Sequence, residues 1–125
     1  RGMVVNGKAG DSVMDELSTL GENTVAEFYQ DRGFSVSRDE PSLFPLQSAT
    51  LDDLKGGDAE ENAATIRAIL AGEDRGPRRD AVLLNAAYAL FVAARTKSAI
   101  EGWDLAASVI DDGLAKSKLA ELTDD

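Results

Sequence analysis

A chain of 125 residues suits one domain, and its 43% hydrophobic content is ordinary for a globular fold. A net charge of −10 argues against a nucleic-acid-binding surface or an anionic membrane as partner. With no cysteine and no histidine, disulfides, thiolate chemistry and imidazole bases are excluded, and any metal must be a hard, oxygen-bound ion such as magnesium.

The chain opens at Arg1 and runs at once into a hydrophobic strand, as expected of a cut chain or one whose earlier part is missing. No targeting signal is visible. Met3-Val4-Val5 reads as a short strand stopped by Asn6-Gly7, and so brief an apolar run suits a buried parallel strand. Lys8 to Ser12 is a loop of small and polar residues. Val13 to Ser18 then carries adjacent carboxylates, Asp15 and Glu16. Open α/β sheets bind ligands at the carboxyl ends of their strands. Taken alone the pair reads first as a solvated loop, because acidic residues are normally exposed.

Thr24 to Tyr29 and Phe34 to Ser37 have strand character. Gln30-Asp31-Arg32-Gly33 between them supplies a turn, so an antiparallel hairpin is expected, with Val25 and Val36 on its buried face. Asp39 to Ala49 holds Pro41 and Pro45 and no period; it reads as a surface connection pinned by Leu43, Phe44 and Leu46. Ser48 or Thr50 caps a short helix containing Leu51 and Leu54, ended by Lys55-Gly56-Gly57. Asp58 caps the next helix, Glu60 and Glu61 suit its first turn, and Gly72 closes it.

Everything else must pack around Asp80 to Arg95, DAVLLNAAYALFVAAR, where only Asn85 and Tyr88 carry polar side-chain atoms between the ends. Pro77 starts this helix, and its apolar residues point in most directions, which predicts burial rather than amphipathicity. It is too short to span a membrane. Thr96 to Ser98 breaks it. A last helix runs from Ala99 towards Leu119 or Leu122, with Ile100, Trp103, Leu105, Ala106, Val109 and Ile110 on its apolar face. Gly113 can bend or split it, Lys116 and Lys118 suit its carboxyl end, and Thr123-Asp124-Asp125 should fray.

The expected fold is α/β: the carboxyl-terminal portion of a larger domain, one buried strand plus a β-hairpin packed with about four helices. Its parts are a strand and acidic loop over 1–22, a hairpin over 23–38 and a helical part over 50–122.

Three stretches then carry a resemblance. They are Val4-Val5-Asn6-Gly7 with Asp15-Glu16-Leu17-Ser18, Leu54-Lys55-Gly56-Gly57-Asp58-Ala59 with Asn62-Ala63, and Gly76-Pro77-Arg78-Arg79-Asp80-Ala81-Val82-Leu83-Leu84-Asn85-Ala86-Ala87. In order and approximate spacing the chain resembles the carboxyl-terminal part of the anthranilate phosphoribosyltransferase family. The resemblance implies a pentosyltransferase of tryptophan biosynthesis, cytoplasmic and homodimeric when complete. Its substrates would be anthranilate and phosphoribosyl pyrophosphate, and its cofactor Mg2+. It also implies that Asp15 and Glu16 hold the magnesium on the pyrophosphate. Pyrophosphate leaves as positive charge builds on the ribose carbon, so the departing oxygens need neutralising, and carboxylates hold magnesium through oxygen ligands and waters.

There are departures. The family usually has His where Asn6 stands, and a shorter loop before the acidic pair; here Asp11-Ser12-Val13-Met14 intervenes and leaves room for displacement. The family's glycine-rich phosphate loop, its Lys-His segment and its anthranilate-binding Arg precede this region, and none is in this chain. No catalytic and no cofactor-binding residue is therefore assigned here, and the chain alone is expected to be inactive. Asp58 and Asn62 match a family motif, yet a helix cap accounts for Asp58. Arg78 and Arg79 read as solvated charges before a helix rather than as phosphate ligands. Ser18 and Asn6 stand near the acidic loop without an assigned role. Three alternatives stay open: a nucleoside phosphorylase superfamily relative, a non-catalytic interaction module, and a longer enzyme cut by a protease.

Overall fold

The computed structural model describes residues 1–31 and 33–123. Among these the chain forms four strands, β1 (Gly2–Ala9), β2 (Ser12–Met14), β3 (Asn23–Tyr29) and β4 (Gly33–Asp39). Five α-helices follow, α1 (Leu51–Leu54), α2 (Ala59–Leu70), α3 (Pro77–Val92), α4 (Ala99–Asp111) and α5 (Leu114–Thr123). The α/β class is borne out: one sheet, in the order β2-β1-β3-β4, packs against the helices.

The strand around Met3–Val5 is neither short nor parallel. Gly10, at φ 61°, turns β1 back into β2, and β1 pairs antiparallel with β3 from Gly2↔Phe28 to Gly7↔Asn23. Asn6 and Gly7 continue the strand instead of stopping it, and Lys8 and Ala9 belong to it. Partners on both sides supply ladder hydrogen bonds that outweigh the turn preference of an Asn-Gly pair.

β3 and β4 form the expected hairpin, with Gly33 at φ 81° leading into β4; Arg32 of the expected turn lies outside the described residues. Val25 is buried, but Val36 is 55% exposed. Val36 pairs with Ala26, whose side chain leaves the opposite face of the sheet from that of Val25. A register shifted by one residue from the assumed one reverses the face. The inner face carries the cross-strand partners Val5 and Val25; Val4, Phe28, Phe34 and Val36 are exposed on the outer one.

The core centres on α3. Leu83, Leu84, Ala87 and Tyr88 form a buried stripe, whereas Val82 is 37% exposed. Full burial is thus one-sided, although apolar residues surround the axis. α4 crosses at Gly102, where an added Cβ would stand 2.4 Å from the Ala87 carbonyl oxygen, so the two backbones approach as only glycine allows. Trp103, Ala106 and Ile110 complete the contact face of α4. Ile100 and Leu105, expected there, lie off that stripe and are exposed.

The connection after β4 is a strap across α3. Phe44 packs between Tyr88 and Trp103, with ring centroids 6.1 and 5.5 Å away. The Tyr88 hydroxyl donates to Asp39 at 2.8 Å, and the Gln47 N–H donates to the Asp80 carboxylate at 2.8 Å. Burial pushes the Tyr88 phenol pKa up, and the bond to Asp39 adds to the shift. Leu46 is partly buried; Leu43 is exposed and pins nothing. At the other end of α3, Arg1 donates to the Phe91 carbonyl at 3.3 Å, stacks 4.0 Å from its ring and pairs with Glu27 at 2.7 Å.

Helix ends follow local chemistry with one exception. Thr50, not Ser48, is the N-cap of α1, Asp58 caps α2, and Gly72 at φ 75° closes α2. Gly113, at φ 78°, splits the last helix into α4 and α5, which gives five helices where four were expected. α3 ends at Val92, short of Arg95. Ala94 takes φ 56°, the Arg95 N–H reaches the Leu90 carbonyl at 2.9 Å, and the Ala94 N–H reaches the Phe91 carbonyl at 3.0 Å. These are the two bonds of a Schellman cap, made here with alanine in the left-handed position. Thr123 is the last residue of α5; the fraying expected at Asp124 and Asp125 lies outside the described residues.

Candidate functional site

A groove of about 1020 Å³ opens between the acidic loop after β2, the turn before α2 and the first half of α3. Glu16, Lys55, Asn62, Arg78 and Asn85 line it. The three stretches that carry the family resemblance therefore meet in one place. Asp15 is exposed beside Glu16 but is not part of the lining.

One wall is built by the Gly56-Gly57-Asp58 run. Asp58 accepts from the Glu61 N–H at 2.9 Å and donates its own N–H to Glu61 at 3.0 Å, a reciprocal capping box. Asn62 accepts from the Gly57 N–H at 2.8 Å and donates to its carbonyl at 3.1 Å. An added Cβ on Gly57 would stand 2.0 Å from a Glu61 carboxylate oxygen, so a larger residue there would displace the Glu61 side chain from the capping box. Asp58 thus serves as the cap.

The two arginines are not solvated charges. Arg78 donates to the Asp53 and Lys55 carbonyls, both at 3.0 Å, and to the Thr65 hydroxyl at 3.3 Å. A guanidinium satisfies the open carbonyls at the end of α1, as basic groups do at helix carboxyl ends. Arg79 is buried and meets Asp111 at 3.0 Å; the same oxygen takes Arg75 at 2.9 Å. Arg79 therefore ties α3 to α4.

The acidic loop is held from both sides. Asn6 donates to the Met14 carbonyl at 3.1 Å. After the pair, Leu17 and Ser18 are buried, and an asparagine reads the backbone of each. Asn85 of α3 accepts from the Leu17 N–H at 2.9 Å and donates to its carbonyl at 3.0 Å. Asn23 of β3 accepts from the Ser18 N–H at 2.7 Å and donates to its carbonyl at 2.9 Å. Gly7 lets the loop lie on β1: an added Cβ would meet the Ser18 nitrogen at 2.5 Å. Only Asp15 and Glu16 of Asp15–Ser18 are exposed.

The donor set fits magnesium shared with a ligand. Among the described residues no group of three or more His, Cys, Asp or Glu could hold a metal ion, so no closed protein cage exists. Magnesium keeps several waters and binds through one or two carboxylates plus substrate phosphates, and two adjacent exposed carboxylates supply that number.

Residues 1–116 match the family described as the glycosyl transferase family, a/b domain. The chain belongs to this family. Among its relatives is the anthranilate phosphoribosyltransferase of Geobacter sp. (strain M21), 46% identical over 97% of this chain and 33% of that protein. The enzyme of the same name from Parvibaculum lavamentivorans is 48% identical, over 95% of this chain and 33% of its own length. Among solved structures, the anthranilate phosphoribosyltransferase of Thermus thermophilus matches with a TM-score of 0.79 at 41% identity, covering 97% of this chain and 34% of that one. The Saccharomyces cerevisiae enzyme, solved in complex with 4-fluoroanthranilate, matches with a TM-score of 0.85 at 27% identity, covering 98% and 34%. The likeness to the carboxyl-terminal part of anthranilate phosphoribosyltransferase is thus borne out. The chain spans about a third of the length of these relatives.

Within this family member, sequence reasoning missed the two asparagine clamps. A signal for one of them existed: Asn85 is one of two polar side chains inside an apolar helix, and a polar group kept there needs a partner. Nothing in the sequence marked Asn23, which reads as an ordinary residue before a strand.

Proposed function

We propose that this chain is the segment of an anthranilate phosphoribosyltransferase that meets the pyrophosphate end of phosphoribosyl pyrophosphate, with Asp15 and Glu16 as its magnesium ligands. One observation carries the reading: the acidic loop, the Gly56–Gly57 turn and the Arg78–Asn85 face of α3 converge on a single groove. In the transfer, the bond from the ribose carbon to pyrophosphate breaks. The anthranilate nitrogen bonds to the same carbon and loses a proton. Magnesium, when bound, neutralises charge on the departing oxygens. Asp15 and Glu16 present the carboxylate oxygens for it. Arg78 already serves three acceptors of its own chain and is not assigned to the phosphates. The complete enzyme is read as a cytoplasmic homodimer on the same family likeness. Separately, among the described residues no helix is long and apolar enough to cross a membrane.

The test is anthranilate fluorescence loss with phosphoribosyl pyrophosphate and magnesium. The 125-residue chain alone should show none. Grafted in place of the matching third of the Geobacter relative, it should support turnover. In that graft Asp15→Asn with Glu16→Gln should lower kcat by about a hundredfold or more, because several kcal/mol of charge stabilisation is lost. Turnover by the chain alone would sink the segment reading, and a near-normal kcat in the double variant would sink the metal role.

A further inference from the structure

We infer that Asn85 is a positioning residue: its carboxamide, fixed on α3, sets the acidic loop so that Asp15 and Glu16 stand ready for a divalent cation. The inference rests on the metal reading above. A carboxylate pair on a loop costs entropy to order, so a metal binds tightly only if something else has already ordered it. Here a rigid helix does so. Asn85 occupies both the N–H and the C=O of Leu17, the residue directly after Glu16, at 2.9 and 3.0 Å. Its own orientation is set by a further bond to the Ala81 carbonyl, one turn back on α3, at 3.0 Å. Asn85 also lines the groove beside Glu16, so the clamp sits at the wall that a ligand would meet. Asn23 repeats the arrangement on Ser18 from the sheet. The loop is thus suspended between a strand and a helix, and the pair projects from the span.

The experiment uses the 125-residue chain and manganese(II), which takes the same oxygen ligands as magnesium. Loss of the free-ion electron paramagnetic resonance signal gives the binding curve. The component removed by Asp15→Asn with Glu16→Gln is the site; the rest is background from an acidic surface. Asn85→Ala should weaken that component about tenfold, the effect usual for groups that orient metal ligands. Asn85→Ser, a milder change, should act in the same direction should Asn85→Ala fold poorly. Amide exchange at Leu17 and Ser18 should accelerate in both. Tyr88→Phe removes a hydroxyl of α3 whose bond goes to Asp39 of β4 and to no backbone atom of the loop, and is the control for general loosening. It should lower Tm and leave the manganese component within twofold. An unchanged component in Asn85→Ala, or an equal loss in Tyr88→Phe, overturns the positioning role while the metal reading stands. If the acidic double variant removes no component at all, the metal reading fails and this inference falls with it.

Discussion

α3 and β4 carry similar apolar residues and meet opposite fates. On α3, Leu84 is 1% exposed and belongs to a core cluster that also draws on the sheet, the strap and α4. On β4, Phe34 is 70% exposed, and only Asp39 escapes the exposed class. Each element adjoins a residue in the left-handed region: Gly33 opens β4 at φ 81°, where glycine is at ease, and Ala94 follows α3 at φ 56°, where alanine is strained. The two cap hydrogen bonds hold the costly backbone conformation at the exposed end of α3, whereas little tertiary packing holds β4. What binds β4 is its ladder to β3. Hydrophobicity alone therefore does not place a residue; the partner that happens to face it does.

The largest way to break this contrast is Leu84→Asp. It buries an unpaired charge, a penalty comparable with a total stability of about 5–15 kcal/mol, so the cooperative thermal transition seen by circular dichroism should vanish. A folded Leu84→Asp chain would mean that the core lies elsewhere. Next is Ala94→Gly, which relieves the left-handed strain and should stabilise by about 0.5–1 kcal/mol. It should raise the urea midpoint with the m-value unchanged. A lowered midpoint would show that the alanine is not strained there.

The smallest effect on stability is expected from Phe34→Ser with Val36→Ser on the outer face. Substitutions at exposed sites usually move stability by no more than about 0.5 kcal/mol. The same pair should reduce self-association and hydrophobic-dye binding by the chain, because contiguous exposed apolar surface promotes both. Loss of more than about 2 kcal/mol, well beyond the surface range, would show that this face is packed within the folded chain. Unchanged dye binding would place the sticky surface elsewhere.

Much of the fold was legible because it is encoded locally. Asp58 as a cap, Gly72 as a stop and Gly113 as a break each follow from one residue's own chemistry, and each is found where expected. The hairpin of β3 and β4 was legible for the same reason, but its register was not, and Val36 fell on the wrong face. The acidic pair was legible as a motif; the groove that gives it a setting joins residues as far apart as Glu16 and Asn85.

The sequence by itself determined the class of the fold, the order of its helices, the family, and the chemistry open to a chain without cysteine or histidine. These depend on composition, periodicity and short motifs, which act within a few residues. Tertiary structure alone decided that β1 runs antiparallel between two partners and that α3 buries one stripe of its apolar surface. It also decided that Arg78 and Arg79 serve their own chain and that two asparagines hold the acidic loop. Most of these depend on contacts between residues distant in the chain, such as Asn85 with Leu17 and Arg79 with Asp111. A buried polar group must find a partner, and only the folded chain brings that partner within reach.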